Sequence, residues 1–188
     1  KMLETENDGT VQFEANKEEL ELMANRILLS ADTQWGGFGA APKFPQTFAL
    51  QMLLRSYHVS HNQASLYQAT LSLDKMIQGG IYDHIGGGFS RYSTDAQWQA
   101  PHFEKMLYDN ALLISVLSEA YQITKKESYK IVIQQTIQFL ENELSNGQGA
   151  FYAALDADSE GVEGKFYTWS YEELKKIVPA DAFESFVT

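Results

Sequence analysis

Apolar residues recur every three or four positions along most of the chain, which is the period of an amphipathic helix. Glu19 and Glu173 each stand three residues after a capping residue, the capping-box pattern of a helix start. The pattern predicts six helices: one after Asn16, one at about Thr47–His58, one from near Asn62, one at about Glu104–Thr124, one at about Glu127–Leu144 and one after Ser170. The fourth is apolar nearly all round, which predicts burial on most sides.

The links between the predicted helices alternate in length. Helices two and three, and helices four and five, are joined by a few polar residues. The other links are long, and each has a glycine turn closely followed by an aromatic ring: TQWGGFGAAPKFPQ, the stretch opening GGIYDHIGGGFSRY, and NGQGAFYAALDADSEGVEGKFYTWS. We call them the first, second and third long loops. This three-fold repeat predicts stacked antiparallel hairpins with all three loops at one end, where function often lies.

Short strands are expected inside the long loops, so the fold class is mainly α with minor β. GFSRY in the second loop alternates like a strand. In the third loop, GAFYAAL and GKFYTW are predicted to pair as a hairpin around DADSEGVE.

Composition fits a globular domain. The 188 residues are 44% hydrophobic and 13% aromatic, enough to bury a core. The apolar runs are too short to span a membrane, and the polar N-terminus does not read as a secretory signal, so a cytoplasmic location is expected. A net charge of −11 argues against nucleic-acid binding. The absence of cysteine excludes disulfides, thiolate zinc sites and thiol catalysis within the sequence.

Three segments carry a family resemblance between about Trp35 and Trp169. GGFGAAPKFP, GGIYDHIGGGFSRYSTDAQWQAPHFEKMLYDNA and ALDADSEGVEGKFYTW resemble the thioredoxin-domain-containing YyaL-like proteins, which include spermatogenesis-associated animal members. The resemblance implies an (α/α) toroid, the architecture of the six-hairpin glycosidases and the N-acylglucosamine 2-epimerases. It also implies a thioredoxin-like domain as an attached partner in the parent protein.

The sequence departs from that family in two ways. Family members are longer and begin with the thioredoxin-like domain, and their toroid has about six hairpins where three are counted here. Residues 1–14 are therefore predicted to be a linker from a missing upstream domain, and residues 15–188 a partial toroid of about half the ring. Exposed apolar flanks would favour self-association.

His84 and His102 are candidate catalytic groups in the second loop, because histidine titrates near neutral pH. The resemblance to toroid epimerases implies histidine-type proton transfer beside a sugar carbonyl. The alternative is that each histidine bonds to the loop backbone and orders it. No HxxxH spacing occurs, so no metal site is predicted, and no cofactor is expected.

Carboxylates in the loops suggest glycoside hydrolysis, which needs two of them flanking the scissile bond. Asp95 with Asp156 or Asp158 is the favoured catalytic pair, because Glu104 and Asp109 lie five residues apart on a predicted helix. The alternative is that Asp95 and Asp109 cap turns and pair with Arg91 or Lys105.

DADSEGVEG resembles the first half of a calcium loop, with acids at Asp156, Asp158 and Glu160. The position that needs a glutamate is Tyr167, which excludes an EF-hand. A looser cation site and a solvated hairpin tip both remain open. The glycines at 86–88 lack a phosphate-loop pattern and are expected to let the backbone pack closely.

Ten rings in the loops would suit stacking on a sugar, although most are expected to lock the loops onto helix ends. Trp98, between two glutamines, is predicted to be an exposed platform, and Tyr82 is a second candidate for substrate binding. The set is Trp35, Phe38, Tyr82, Phe89, Tyr92, Trp98, Phe151, Tyr152, Tyr167 and Trp169.

These features lead to two functional hypotheses. In the first, the chain is part of a carbohydrate-active toroid enzyme, glycosidase-like or sugar-epimerase-like, acting on a small sugar. Its predicted catalytic residues are His84, Asp95, His102 and Asp156, and its predicted substrate-binding residues are Tyr82, Arg91, Trp98, Glu104, Lys105, Asp109 and Asp158. In the second, the toroid is a non-catalytic platform that recognises a substrate or partner for the thioredoxin-like domain.

Overall fold

Helices dominate the fold of residues 16–187, the part of the chain that a computed structural model describes. The predicted linker at residues 1–14 lies outside them. The helices are α1 (Lys17–Leu28), α2 (Thr47–Ser60), α3 (Gln63–Gln78), α4 (Leu107–Thr124), α5 (Glu127–Phe139), α6 (Tyr171–Ile177) and α7 (Ala180–Val187). A π-helical turn at Leu140–Leu144 extends α5. The strands are β1 (Tyr92–Ser93), β2 (Pro101–His102), β3 (Lys105–Met106), β4 (Ala154–Leu155), β5 (Asp158–Ser159) and β6 (Val162–Glu163).

The predicted helix starts are confirmed at their caps. The Asn16 side chain accepts a hydrogen bond from the Glu19 amide at 2.9 Å, and Asn62 caps α3. Ser170 and Glu173 form a complete capping box at α6. The sequence pattern did not predict α7, which follows Pro179.

Two local predictions are wrong. Helix α4 begins at Leu107 rather than Glu104, because Lys105 and Met106 form β3. The hairpin predicted between GAFYAAL and GKFYTW does not form: β4 pairs with β3 of the second loop, and β5 pairs with β6 inside DADSEGVE. The β3–β4 pairing lets Leu155 pack against the apolar cluster at the end of α5, which a hairpin inside the third loop would not offer.

Helix α2 lies at the centre of the packing and contacts α1, α3 and α4, while α4 also packs on α5. On α1, Ala24 is fully buried, but the neighbouring apolar residue Met23 is 47% exposed. The core consists mainly of fully buried side chains from the middle of the helices: Leu50, Leu53, Ala69, Met76, Leu113, Val116, Leu117 and Ala120. Each buried leucine contributes roughly 2 kcal/mol. No helix within residues 16–187 is both long and apolar enough to cross a membrane.

The three long loops come together at one end of the helices, as predicted. The first two loops lead directly into α2 and α4, which pack against each other. A bridge between Lys43 and Ser93 joins the first loop to the second, and the β3–β4 pair joins the second to the third. The loops therefore form a continuous row.

Candidate functional site

The same turn opens each long loop. The side-chain oxygen of Asp32, Asp83 or Asn146 accepts hydrogen bonds from backbone amides that follow it, at 2.8–3.0 Å. Each turn is closed by a backbone bridge to a phenylalanine: Ala31 to Phe38, Tyr82 to Phe89, and Ser145 to Phe151. The sequence repeat is thus a structural repeat.

Glycines let the second loop pack onto α5. Gly87 and Gly88 both have φ +77°, and a Cβ at Gly88 would stand 2.4 Å from the Phe139 ring. A Cβ at Gly87 would stand 2.7 Å from the Gln135 carbonyl oxygen. This confirms the predicted close packing at residues 86–88.

The extended segment 102–105 presents two opposite faces, as alternation along a strand requires. His102 and Glu104 lie on one face, with His102 Nε2 3.9 Å from Glu104 Oε2. Phe103 and Lys105 lie on the other, where both contact the ring of Tyr167. The first face holds a polar cluster and the second borders a cleft.

The polar face is built around His102, whose side chain is 25% exposed. Its Nδ1 lies 2.6 Å from Glu163 Oε1, and its ring stacks on Tyr92 with centroids 4.8 Å apart. The short contact indicates that Nδ1–H donates to the carboxylate, which orients the ring so that Nε2 is the nitrogen left for a substrate. We call Arg91, Tyr92, His102, Glu104 and Glu163 the histidine cluster.

A guanidinium shares Glu104 with His102, and a second titratable group, Asp109, lies near that guanidinium. Arg91 Nη1 donates to Glu104 Oε2 at 3.0 Å. Burial raises the pKa of Asp109 to about 6, although the charge of Arg91 opposes the rise. Within residues 16–187, Asp109 Oδ2 is buried without a hydrogen-bond partner. A carboxyl group that titrates near neutral pH can exchange a proton with a substrate.

The opposite face borders a cleft of about 610 Å³ lined by residues of the second and third loops and of α5. Lys105 is 2% exposed at its wall, with Nζ 2.7 Å from Asp83 Oδ2 and 2.9 Å from the Gly87 carbonyl oxygen. Burial lowers the pKa of Lys105, and Asp83 only partly offsets this. Burial opposes ionisation of Asp83, but hydrogen bonds from Lys105 and nearby amides outweigh it and lower its pKa.

The prediction that Trp98 is an exposed platform is wrong. Trp98 is 0% exposed, and its Nε1 donates to the Trp35 carbonyl oxygen at 2.9 Å. Its ring packs against Gly37, where a Cβ would stand 2.5 Å away. Gly37 leaves space for the ring and Gly79 leaves space for the Trp98 backbone, so Trp98 packs inward and joins the first and second loops.

Tyr82 also lies in the interior rather than on a binding surface. It is 4% exposed, and its hydroxyl donates to Gln135 Oε1 at 2.5 Å. Burial raises the pKa of Tyr82 to about 12. The residue anchors the second loop on α5.

His84 and Asp95 bond to the loop backbone, as the alternative for each predicted. The ion pair that the alternative also gave Asp95 is not seen in residues 16–187, because Arg91 pairs with Glu104 and Lys105 with Asp83. His84 Nε2 lies 3.1 Å from the Gly79 carbonyl oxygen. Asp95 accepts hydrogen bonds from the amides of Gln97, Gln99 and Ala100. Burial opposes ionisation of Asp95, but these amides outweigh it and lower its pKa.

Asp156 and Asp158 stand at an exposed hairpin tip. Asp156 Oδ1 accepts the Asp158 amide at 3.0 Å, and Asp158 begins β5. The carboxylates of Asp95 and Asp156 accept hydrogen bonds from amides of their own turns, and these bonds give no support to the predicted glycosidase pair. No group of three or more histidine, aspartate or glutamate side chains in residues 16–187 could hold a metal ion.

The structure brings together Arg91, His102, Glu104 and Asp109 from the predicted set, and it adds Glu163. Sequence reasoning missed Glu163 because its contact with His102 spans 61 positions. It also missed the buried lysine–aspartate pairs. One signal could have found the lysines: each long loop ends in a lysine followed by phenylalanine or methionine, at Lys43, Lys105 and Lys165.

Comparison with known proteins finds animal relatives. The chain is 43% identical over 159 residues to spermatogenesis-associated protein 20 of Mus musculus, and 42% identical over 159 residues to that of Homo sapiens. Each alignment covers 79% of this chain and 20% of the relative. The chain thus spans about a fifth of the length of these curated relatives. No family model matches.

Solved structures show the same fold at low sequence identity. A sugar epimerase from a ruminal bacterium aligns with a TM-score of 0.64 and 17% identity, over 77% of this chain and 44% of its own. Cellobiose 2-epimerase from Spirochaeta thermophila aligns with a TM-score of 0.66 and 20% identity, over 74% of this chain and 39% of its own. The predicted (α/α) toroid class, present here in part, is confirmed.

Proposed function

Since this chain is a homologue of spermatogenesis-associated protein 20 over 79% of its length and has the fold of sugar epimerases, we propose that it forms part of a carbohydrate-active enzyme. The reaction is transfer of a proton at the carbon beside a sugar carbonyl. The observation that supports the proposal is the 2.6 Å contact between His102 Nδ1 and Glu163, which orients the ring so that Nε2 can serve as the base.

The histidine cluster supplies what such a reaction needs. His102 Nε2 removes the proton from C2 of an open-chain aldose, and the C–H electron pair forms the C1–C2 double bond of an enediolate. Arg91 stabilises the negative charge that develops on the C1 oxygen. Return of a proton to the other face of C2 gives the epimer, whereas a proton delivered to C1 gives the ketose.

Asp109 is the proposed second proton donor. Its pKa of about 6 lets it carry a proton at neutral pH more often than an ordinary carboxyl group would. The aldose-to-epimer route uses both groups, one on each side of C2. Glycoside hydrolysis is the weaker proposal, because Asp95 and Asp156 accept hydrogen bonds within their own turns.

Deuterium exchange tests the proposal. The full-length protein is incubated in D₂O with D-glucose, D-mannose or cellobiose, and loss of the C2 proton signal is followed by NMR. Wild type should exchange that proton, and His102→Asn should slow exchange by about 10³-fold. The matched control is His61→Asn, because His61 is exposed and asparagine tolerates its φ of +56°.

Two results would contradict the proposal. One is a folded wild-type protein that exchanges no proton in any of these sugars, which would favour the recognition-platform hypothesis. The other is full exchange by His102→Asn. The thioredoxin-like partner domain, the cytoplasmic location and self-association stay predictions, to be checked by pull-down, fluorescent fusion and ultracentrifugation.

A further inference from the structure

Two buried lysines occupy equivalent places in the first and second loops. Lys43 bonds to Asp32 and to the Gly36 carbonyl oxygen, and Lys105 bonds to Asp83 and to the Gly87 carbonyl oxygen. In each loop the aspartate opens the repeated turn. The two sites therefore form an internal comparison.

Lys43 is saturated. An ammonium group has three N–H donors. The third acceptor of Lys43 is the Ala96 carbonyl oxygen of the second loop, at 3.0 Å. Trp98 covers the site, with its ring centre 5.6 Å from Nζ, and the Lys43 side chain is 0% exposed. Nothing further can bind there.

In the part of the chain that the structure describes, one N–H of Lys105 has no oxygen acceptor. Within residues 16–187 its Nζ has two acceptors, Asp83 and Gly87. In place of the carbonyl that Lys43 receives from the second loop, Lys105 faces two rings, with Nζ 4.5 Å from the centre of Phe139 and 5.0 Å from the centre of Tyr167. Its side chain is 2% exposed and stands in the wall of the 610 Å³ cleft. A buried donor without an acceptor is costly, so a ligand oxygen in the cleft would be stabilised there.

The cleft walls contain exposed aromatic rings and charged side chains, most of which are paired with each other. Phe166 is 74% exposed and Trp169 is 54% exposed, so their faces are available for stacking. Asp83 is paired with Lys105, and Glu160 with Lys165. Within the described residues Glu143 makes no ion pair or hydrogen bond, although its charge acts on Lys105. The surplus of negative charge disfavours anions, and Lys105 disfavours a cation at the inner end.

We propose that this cleft binds a neutral sugar ring at a site separate from the histidine cluster. One ring face stacks on Trp169, a sugar oxygen accepts the third N–H of Lys105, and a hydroxyl donates to Glu143. The volume suits a ligand of one or two rings. His102 points to the opposite side of segment 102–105, so the bound sugar is not the reacting one.

Binding of methyl β-D-glucopyranoside to the full-length protein tests the site. This glycoside cannot open to an aldehyde, so its binding is independent of the proposed reaction. Calorimetry should show saturable binding that Trp169→Ala weakens about tenfold and Glu143→Gln about threefold. Matched controls are Tyr152→Ala, another exposed ring, and Glu141→Gln, on the same π-helical turn. Both controls and His102→Asn should bind as wild type does.

Three outcomes would overturn the site. The first is no saturable binding by folded wild type. The second is binding that Trp169→Ala and Glu143→Gln leave unchanged. The third is tighter binding of methyl β-D-glucuronide or tetramethylammonium, which would make the ligand charged. If the protein exchanges the C2 proton but does not bind the glycoside, only the proposed cleft site is contradicted. If it binds the glycoside but exchanges no proton, only the proposed reaction is contradicted.

Discussion

The two faces of segment 102–105 share one backbone but have different surroundings. On one face, His102 and Glu104 meet partners that are themselves solvent-accessible, since Glu163 is 53% and Arg91 40% exposed at their side chains. On the other face, Lys105 is 2% exposed. The third loop straddles the strand, with Glu163 on the first face and Tyr167 on the second.

The difference predicts different roles for the two faces of this short segment. Exposed ion pairs contribute little to stability, because water can replace either partner. A buried pair is different, because removing one partner leaves the other charge without water or counter-ion. Substitutions on the His102 face should therefore change the reaction, and those on the Lys105 face should change the stability.

The largest expected effect comes from Lys105→Met. Loss of the ammonium leaves Asp83 and the Gly87 carbonyl oxygen without their donor, which should lower the free energy of unfolding by about 3 kcal/mol. Glu104→Gln, on the opposite face one residue away, should cost less than about 1 kcal/mol. Urea denaturation of the full-length protein measures both. Equal losses in the free energy of unfolding for the two variants would contradict the predicted difference between the two faces.

Gly164→Ala should have the next largest effect. Gly164 has φ +72°, and a Cβ would stand 2.6 Å from the Phe103 ring, so the stack of Phe103 on Tyr167 would have to shift. The expected cost is about 2 kcal/mol. Gly161→Ala is the matched control in the same hairpin, because its φ of +76° is similar but nothing lies within 4 Å. It should cost about 1 kcal/mol. A smaller cost at Gly164 than at Gly161 would contradict the packing argument.

Glu163→Gln should slow the proposed reaction and leave the free energy of unfolding unchanged. In the proposed reaction Glu163 positions His102, so the variant should lower kcat about tenfold and shift the pH profile of proton exchange. Asp158→Asn, at the position paired with Glu163 across the hairpin, should leave both unchanged. Loss of stability in Glu163→Gln with an unaltered pH profile would make the contact structural.

The smallest expected effects are opposite pH dependences at Asp109 and Asp83. The raised pKa of Asp109 stabilises the fold below its ordinary value of 3.8, and this contribution is lost as the pH rises through about 6. The lowered pKa of Asp83 stabilises the fold above 3.8, and that contribution is lost as the pH falls through the folded value.

Substitution of either aspartate by asparagine should reveal the opposite pH dependences of the free energy of unfolding. Relative to wild type, Asp109→Asn should gain stability between pH 4 and pH 7. The deficit of Asp83→Asn should be largest near neutral pH and shrink in acid. Urea midpoints between pH 4 and pH 7 measure the Asp109 effect, and midpoints below the ordinary value of 3.8 measure the Asp83 effect. Parallel profiles for the two variants would contradict the assignment.

Local signals in the sequence determined most of the helical fold. The caps at Asn16, Asn62 and Ser170 act within three residues, so a short window contains the whole interaction. Helical periodicity and the glycine–aromatic turns likewise placed the hairpins and the three loops. The predicted strand pairing of the third loop was wrong. Leu155 is buried against the end of α5, and the residues of the loop do not reveal that contact.

The candidate site was only partly within reach of the sequence. The sequence singled out the second loop, and four of its candidates, Arg91, His102, Glu104 and Asp109, lie near one another in the structure. Which histidine meets a carboxylate was not determined, because Glu163 reaches His102 from a different loop. Trp98 shows the same limit: its neighbours in sequence are polar, yet glycines in two other segments leave room that buries it.

The sequence by itself thus determined the helices, their caps, the repeated loops and the family, because each depends on residue types at short, fixed spacing. Only the tertiary structure decided which face of segment 102–105 meets solvent, which lysine is saturated and which keeps a free donor. Lys43 and Lys105 look alike in the sequence. They differ because the next loop brings the Ala96 carbonyl to the first and the Tyr167 ring to the second.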